Sequence, residues 1–267
     1  MTVRVALSIA GSDPTGGAGL QADLQVFRAL GVHGAGVVTA ITVQDTERVH
    51  RVLPAFPSVV LEQLRVLLRD ITPDAIKIGM LATDDVARNV ELGLNELDEK
   101  PPRRIPIVVD PVLWSSDGTT LLERRAWGSL ELLMGRAAII TPNLPEAEAL
   151  SGSDVSTEEG VEAAASGLVV NLGAGAALVT GGHRDGPPND LLAVREGGGV
   201  VFHWLKGERI GGAPVHGTGC ALASAIAAGL ARGESVLPAV EAARRFLASA
   251  LRNAEARGKR ARFLVYG

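Results

Sequence analysis

The chain has 267 residues, of which 46% are hydrophobic and 21% charged, and its formal net charge at pH 7 is −4. This composition predicts a globular protein with a large core, and it excludes a broad basic surface for nucleic acid. A single cysteine excludes an internal disulfide framework and any multi-cysteine metal site.

Short apolar segments alternate with stretches of helical pattern along the chain. The segments are unbroken, which is typical of parallel strands buried on both faces. Strands are predicted over 3–10, 36–42, 75–79, 105–110, 137–141 and 176–180, and an antiparallel edge strand over 200–204 between turns at 184–188 and 197–199. Helices are predicted over 18–30, 57–70, 83–97, 123–134, 145–150, 158–172, 218–231 and 236–257. This alternation predicts an α/β fold in a single domain, 1–267, with ligands at the carboxyl ends of the strands.

A glycine-rich loop, 11–19, follows the first predicted strand and leads into a helix. Its glycine spacing differs from the dinucleotide-binding fingerprint and the chain has no Walker sequence, which argues against a Rossmann dehydrogenase and a P-loop enzyme. Bare backbone at a strand end lets a small ring approach closely, and Asp23 follows within the helix as a polar partner for that ring. The alternative is a structural turn with Asp23 in solvent.

Gln44 ends the second predicted strand with a side chain that both donates and accepts hydrogen bonds. An amide of this kind can read the edge of a heteroaromatic ring through paired hydrogen bonds. The alternative is an ordinary surface glutamine.

Carboxylate and amide side chains follow the fourth and fifth predicted strands. Asp110 ends one strand, and Asn143 and Glu146 lie just beyond the other. Such oxygen ligands suit Mg²⁺, which usually keeps several waters and accompanies phosphates. The alternative is that Asn143 caps the helix that begins near Pro145.

The segment from His216 to Cys220 reads His-Gly-Thr-Gly-Cys and precedes an alanine-rich helix. The free N–H groups at that helix start would converge on an anion, most plausibly a phosphoryl group. The helix dipole favours a thiolate there, which predicts that Cys220 is a general base at neutral pH. The alternative is a packing turn beside an inert, buried thiol.

Taken in order, these motifs resemble those of the hydroxymethylpyrimidine/phosphomethylpyrimidine kinases of thiamine biosynthesis, within the ribokinase-like superfamily. The similar segments are 8–24, Thr39-Ala40 with Gln44, 77–81, 110–112, 141–148, 181–183 and 216–220. The resemblance implies a ribokinase-like three-layer α/β/α sandwich with a mostly parallel central sheet.

The resemblance also implies an activity. The γ-phosphoryl group of ATP would pass to the hydroxymethyl group of 4-amino-5-hydroxymethyl-2-methylpyrimidine, and a second transfer to the monophosphate would give the pyrophosphate. Mg²⁺ and a homodimer are implied as well. Two alternatives stay open: a pyridoxal or pyridoxine kinase of the same superfamily, and a catalytically weak pyrimidine-binding protein.

The resemblance assigns a role to each candidate site residue. Those expected around the pyrimidine are Gly11, Ala18, Asp23, Gln44, Met80 and Val112. Those expected at the transferring phosphoryl group are Gly217, Thr218 and Gly219 as an anion hole and Cys220 as the base. Those expected along the nucleotide phosphates are Asn143, Thr180 and Gly182, with Asp110 and Glu146 organising Mg²⁺ through water.

Four features depart from the pattern of that family. Thr180 stands where a lysine is common, so a cation for the phosphates is missing there, and the segment 211–215 replaces Lys-Asn-Thr-like residues ahead of His216. The family's glycine-rich ending with a histidine is absent, and Trp114 is bulkier than expected after the segment 110–112. We expect the first two changes to weaken ATP binding or the second phosphorylation, and the last to reshape the acceptor pocket.

Composition also bears on location. No segment reaches the roughly 18 to 20 consecutive apolar residues that a membrane span needs. With one cysteine and scattered basic residues, we expect a cytoplasmic protein that binds small molecules rather than membranes or nucleic acid.

Overall fold

The computed structural model describes residues 3–98, 105–182, 186–212, 214–259 and 261–266. The strands are β1 (Val5–Ser12), β2 (His33–Gln44), β3 (Val49–Pro54), β4 (Ala75–Ile78), β5 (Ile107–Val109), β6 (Ile139–Ile140), β7 (Ala176–Val179), β8 (Asp190–Glu196), β9 (Gly199–Leu205), β10 (Val215–His216), β11 (Glu255–Arg257) and β12 (Ala261–Phe263). The helices are α1 (Gly19–Ala29), α2 (Pro57–Asp70), α3 (Asp84–Asp98), α4 (Trp127–Gly135), α5 (Leu144–Ser151), α6 (Glu158–Val170), α7 (Thr218–Ala231) and α8 (Val236–Arg252).

A nine-stranded sheet forms the middle layer, in the order β3-β2-β1-β4-β5-β6-β7-β8-β9. Neighbouring strands from β2 to β7 are parallel, whereas β3 at one edge and β8 and β9 at the other pair antiparallel. The mostly parallel sheet is therefore confirmed, and the edge strand predicted over 200–204 is β9.

Helices cover both faces of this sheet. On one face, Leu7 and Ile76 point into an apolar cluster that also contains Leu64 of α2 and Leu130 of α4. On the opposite face, small residues such as Ala6 let α1, α7 and α8 pack closely. The fold is the three-layer α/β/α sandwich that the resemblance implied.

The prediction was wrong at the C-terminal end and at one edge of the sheet. The last long helix stops at Arg252 rather than at 257, because the next residues are exposed and carry no apolar stripe for a helix to bury. They form β11, which joins β12 and β10 in a separate three-stranded sheet. Strand β3 was not predicted, and its residues are mostly exposed.

Helix α4 also starts differently from the prediction. The helix predicted over 123–134 begins as a 3₁₀ turn, Arg124–Ala126, before α4. Of the turn predicted at 184–188, residues 184 and 185 lie outside the described ranges. Among the described helices, none has the length and apolar character needed to cross a membrane.

Candidate active site

A cavity of about 1450 Å³ opens where the parallel strands end and α7 begins. The carboxyl ends of parallel strands share one edge of a sheet, so residues far apart in sequence meet there. The predicted site residues that line this cavity are Gly11, Ala18, Gln44, Met80, Asp110, Val112, Asn143, Glu146, Thr180, Gly182, Gly217, Thr218, Gly219 and Cys220. Only Asp23 among the predicted site residues does not.

Asp23 is fully buried beneath the cavity, and the prediction that it contacts the ring is wrong in this structure. Its carboxylate lies 2.9 and 3.0 Å from Lys77 Nζ. It also accepts hydrogen bonds of 2.6 Å from the hydroxyl groups of Ser8 and Ser224. The alternative of a solvated Asp23 is equally wrong, because this charge pair joins β1, β4, α1 and α7.

Asp13 organises the glycine-rich loop. Its carboxylate accepts hydrogen bonds of 2.9 Å from the backbone N–H groups of Thr15 and Ala18. The loop residues Gly11 and Ala18 line the cavity, as expected of a backbone wall against which a flat ring can lie.

Gln44 is half-buried in the cavity wall at the end of β2, unlike an ordinary surface glutamine. Its amide nitrogen lies 3.1 Å from Nε2 of His216, the residue before the α7 turn. Met80 and Val112 belong to a small apolar cluster with Leu121 on the same wall. An amide therefore borders an apolar surface, which suits a heteroaromatic ring.

The α7 turn at Gly217 faces the glycine-rich loop. Gly217 has φ +78° and immediately precedes the helix, so the predicted helix start is confirmed. A Cβ atom at Gly217 would lie 1.8 Å from the carbonyl oxygen of Gly17. The backbone N–H groups of the first turn of α7 consequently border the cavity beside the glycine-rich loop.

We expect Gly217→Ala to destabilise the protein by more than about 2 kcal/mol, because alanine must adopt a left-handed conformation and also displace Gly17. Gly219→Ala is the matched control, since a Cβ atom there meets nothing within 4 Å. Urea unfolding of both variants measures the difference. Equal stability of the two variants would contradict the tight contact at Gly217.

The electrostatics at Cys220 differ from the prediction. Burial raises the pKa of its thiol to about 12, and the carboxylates of Asp110 and Asp23 add to this effect against the opposing charge of Lys77. Burial of the thiol therefore opposes the thiolate that the helix dipole was expected to favour. Cys220 lies close enough to Asp110 for each group to affect the pKa of the other, so its proton has a neighbouring acceptor.

Asp110, directly after β5, and Glu146, in the first turn of α5, form a buried carboxyl pair. Burial raises the pKa of Asp110 to about 6, against the opposing charge of Lys77. Burial together with the charge of Asp110 raises the pKa of Glu146 to about 8. The charge of Asp110 disfavours ionisation of Glu146, so a cation would stabilise the ionised pair, and Mg²⁺ needs only one or two carboxylates.

The capping alternative for Asn143 is confirmed, and it is compatible with a place in the site. The Asn143 side chain accepts a 3.0 Å hydrogen bond from the N–H of Glu146, and Glu146 accepts one of 3.0 Å from the N–H of Asn143. This reciprocal cap fixes both side chains where they border the cavity.

Comparison with known proteins gives the family of this chain. The family model described as phosphomethylpyrimidine kinase matches residues 13–264. The chain belongs to the phosphomethylpyrimidine kinase family. It is 38% identical over 256 residues to a hydroxymethylpyrimidine/phosphomethylpyrimidine kinase of Bacillus subtilis, covering 95% of this chain and 91% of that protein. It spans 50% of a bifunctional thiamine biosynthesis protein of Geobacter sulfurreducens, with 40% identity over 255 residues.

Two solved structures of kinases share the fold. A phosphomethylpyrimidine kinase from Clostridium difficile has a TM-score of 0.80 and 34% identity, covering 93% of this chain and 99% of that one. A pyridoxal kinase from Bacillus subtilis, in an ADP complex, has a TM-score of 0.87 and 31% identity, covering 99% of this chain and 98% of that one.

In this kinase, sequence reasoning assigned no site role to three residues that line the cavity, Asp13, Lys77 and Arg209, and it interpreted His216 as structural or as hydrogen-bonding to ligand. Lys77 carried a usable signal, because a lysine inside an apolar strand requires a buried partner. Arg209 carried none, since it lies in an irregular segment after β9 and borders the cavity only in the folded chain. His183, part of the resemblance, lies outside the described ranges.

Proposed function

We propose that this kinase transfers the γ-phosphoryl group of ATP to the hydroxymethyl group of 4-amino-5-hydroxymethyl-2-methylpyrimidine, and then phosphorylates the monophosphate to the pyrophosphate in thiamine biosynthesis. The observation that carries the proposal is a single cavity that contains Gln44, the α7 N-terminus and the pair of Cys220 and Asp110. It offers a ring site, an anion site and a proton acceptor together.

Recognition of the acceptor ring rests on Gln44. An amino group beside a ring nitrogen presents a donor next to an acceptor, which complements the carboxamide of Gln44. The apolar side chains of Met80 and Val112 would contact the ring faces and its methyl group, and the backbone of Gly11 and Ala18 would form the opposite wall.

Proton removal from the hydroxymethyl group falls to Cys220 with Asp110. Cys220, whose thiol is protonated at its raised pKa, would accept the hydroxyl proton as its own proton passes to Asp110. The alcohol O–H bond breaks as its oxygen forms the new bond to phosphorus, and the bond from that phosphorus to the β-phosphate oxygen breaks, so that ADP leaves. The N–H groups at Gly217, Thr218 and Gly219 would stabilise the negative charge on the transferring phosphoryl oxygens.

The carboxyl pair of Asp110 and Glu146 fits Mg²⁺ held through water. Their oxygens are the ligands that this ion prefers, and a cation would offset the effect of the Asp110 charge on Glu146. When bound, Mg²⁺ supplies neutralisation of phosphate charge. Asn143, Thr180 and Gly182 line the neighbouring part of the cavity, where we place the phosphates of ATP.

Arg209 would supply the phosphate-binding cation that is missing at Thr180. Its guanidinium donates to the carbonyl oxygens of Gly182 and Gly186, and it borders the cavity.

We expect Arg209→Ala to raise the KM for ATP by roughly 10-fold or more, the effect of losing a charge-assisted hydrogen bond. The KM for the pyrimidine should change little. Steady-state kinetics with Arg232→Ala as a control, which removes the same charge at the pair with Glu234, distinguishes a local effect from net charge. An unchanged KM for ATP would exclude Arg209 from the phosphate site.

The direct test of the proposed function is product identification. Purified protein with ATP, Mg²⁺ and the pyrimidine alcohol should give the monophosphate and then the pyrophosphate, resolved by mass spectrometry. Accumulation of the monophosphate alone would remove the second transfer from the proposal. No phosphorylated pyrimidine at all would reject the function.

Pyridoxal phosphorylation is the second candidate. It is favoured by the similarity to the pyridoxal kinase of Bacillus subtilis over 99% of this chain. Both acceptors are heteroaromatic rings that bear a hydroxymethyl group, so the two activities differ in how the ring edge is read. We place pyridoxal second because a carboxamide such as Gln44 complements an amino-pyrimidine edge better.

A homodimer is proposed from the outer face of the β2–β3 ribbon. Ile41, Val43 and Leu53 lie exposed on that face, and Phe56 follows with 79% of its surface exposed. The opposite face of the ribbon carries Gln44 into the cavity. A second copy of the chain would cover this apolar surface and brace the ring-binding wall.

We expect Ile41→Glu to convert a dimer into a monomer in sedimentation velocity experiments, because a buried charge at the contact would be unpaired. Leu132→Glu, at an exposed position of α4, is the control and should leave the dimer intact. A wild-type protein that is monomeric at all concentrations would reject the homodimer.

Two further parts of the proposal rest on the sequence. We place the kinase in the cytoplasm, because its single cysteine suits a reducing compartment. We also treat residues 1–267 as one catalytic domain, because the cavity draws residues from both halves of the chain.

A further inference from the structure

His216 connects Gln44, in the cavity wall, to Asp13, in the glycine-rich loop, through a single ring nitrogen. Its Nε2 lies 2.9 Å from Oδ2 of Asp13 and 3.1 Å from the amide nitrogen of Gln44. The ring is itself held by the C-terminal sheet, where His216 pairs with Phe263 and the two rings meet edge to face at 6.2 Å. A Cβ atom at Gly17 would lie 2.7 Å from the His216 ring, so the fit is close.

Asp13 determines where the His216 proton lies. Burial would raise the pKa of Asp13, but hydrogen bonds from His216 and Thr15 outweigh it and hold the pKa below its ordinary value. Its Oδ2 already accepts from the Thr15 hydroxyl and from the Ala18 N–H, each at 2.9 Å. A carboxylate in this state accepts hydrogen bonds only, so Nε2 of His216 must carry a proton and donate it.

This proton in turn constrains the amide of Gln44. An Nε2–H group cannot accept from the amide N–H group 3.1 Å away, and two donors would face each other. The other end of the amide has a matching problem. Its oxygen lies 3.3 Å from the hydroxyl of Thr42, which already donates to the carbonyl oxygen of Ser12 at 2.9 Å.

A half-turn of the amide group removes both conflicts at once. The amide oxygen of Gln44 then accepts from His216 Nε2–H, and its NH₂ group donates to a lone pair of the Thr42 hydroxyl. One lone pair and one N–H of the amide remain for a ligand in the cavity.

We propose that His216 is a positioning residue for the acceptor ring, whose Nε2–H fixes which end of the Gln44 amide accepts and which end donates. This inference deepens the proposed function and rests on it. The amide presents an acceptor and a donor in one fixed order, so a ring with the complementary order binds and a ring with the reversed order does not.

The tautomer of His216 tests the first step without any substrate or variant. In ¹⁵N-detected imidazole spectra of the wild-type protein, we expect a proton on Nε2 of His216. An unprotonated Nε2 would overturn the proposal. Absence of wild-type turnover would instead reject the proposed function and would leave this spectrum unaffected.

Kinetics test the second step. We expect His216→Leu to raise the KM for the pyrimidine alcohol about 5- to 10-fold, the effect of one lost hydrogen bond, with the KM for ATP nearly unchanged. His216→Gln places an amide donor near the Nε2 position and should restore most of the loss. If His216→Gln is as impaired as His216→Leu, ring packing rather than the donor is responsible and the proposal fails.

A double variant separates positioning of Gln44 from a direct effect on the substrate. In a Gln44→Leu background, His216→Leu should raise the KM for the pyrimidine no further, because the amide that it orients is gone. Additive effects would overturn the proposal. Melting temperatures of all variants confirm that folded proteins are compared.

Discussion

Cys220→Ala is expected to lower kcat by about 10²- to 10⁴-fold, the range that a positioned proton acceptor contributes. The thiol lies at the α7 N-terminus beside Asp110, so its removal interrupts the path of the hydroxyl proton. Binding of the pyrimidine alcohol should persist, because Gln44 and the apolar wall are untouched. Steady-state phosphorylation and calorimetric binding measure the two quantities separately.

The same variant also tests the alternative that this chain mainly binds the pyrimidine and turns it over only weakly. A catalytically weak pyrimidine-binding protein would hold the ring tightly and show a residual turnover that Cys220→Ala does not change. Loss of turnover with binding retained would eliminate that alternative. Asp110→Asn should show a similar loss in kcat, since the amide cannot accept the thiol proton as a carboxylate does.

Lys77→Met is expected to destabilise the protein by about 3 to 5 kcal/mol, the cost of leaving a buried charge without its partner. Asp23 would keep its two serine donors but lose the ammonium group 2.9 Å away. Both side chains of the pair are fully buried, so water cannot replace the lost partner. Urea unfolding of the purified variant gives the difference.

The double variant Lys77→Met/Asp23→Asn is the control for that prediction. It removes both charges, so we expect it to be more stable than Lys77→Met alone, because no buried charge remains unpaired. If the double variant is as unstable as the sum of the two single variants, the pair contributes no coupling and the account of Asp23 fails.

The fold was largely predictable because the strands of a parallel sheet are buried on both faces and therefore have continuous apolar sequences. Strands such as β4 and β7 are buried at every position, which produces unbroken apolar segments between helical patterns. Strands outside the core of that sheet lack such continuous apolar segments. Strand β3 is half-exposed, and β11 is exposed throughout, so neither has a burial pattern to read.

The site was predictable wherever a strand end carried a polar residue. Gln44, Asp110 and Thr180 follow parallel strands, and topology alone brings them to one cavity. The role of Asp23 was not predictable, for a different reason. Its position in a helix gives no sign that Lys77 of a distant strand faces it.

The state of the Cys220 thiol could not be read from sequence either. Helix position predicts a stabilised thiolate, yet burial beside Asp110 and Asp23 raises its pKa instead. Burial, the largest cause of the raised pKa, depends on the elements packed around the thiol and not on its own helix. The proximity of Arg209 to Gly182 was equally unpredictable, because it depends on how two irregular segments pack.

The comparison of kcat/KM for the pyrimidine alcohol with kcat/KM for pyridoxal, under saturating ATP and Mg²⁺, tests the central claim most directly. We expect the pyrimidine to be preferred by at least about 10-fold, since a site built to hydrogen-bond a ring edge rejects a ring that leaves its amide unpaired. A preference for pyridoxal, or turnover of neither alcohol, would contradict the account.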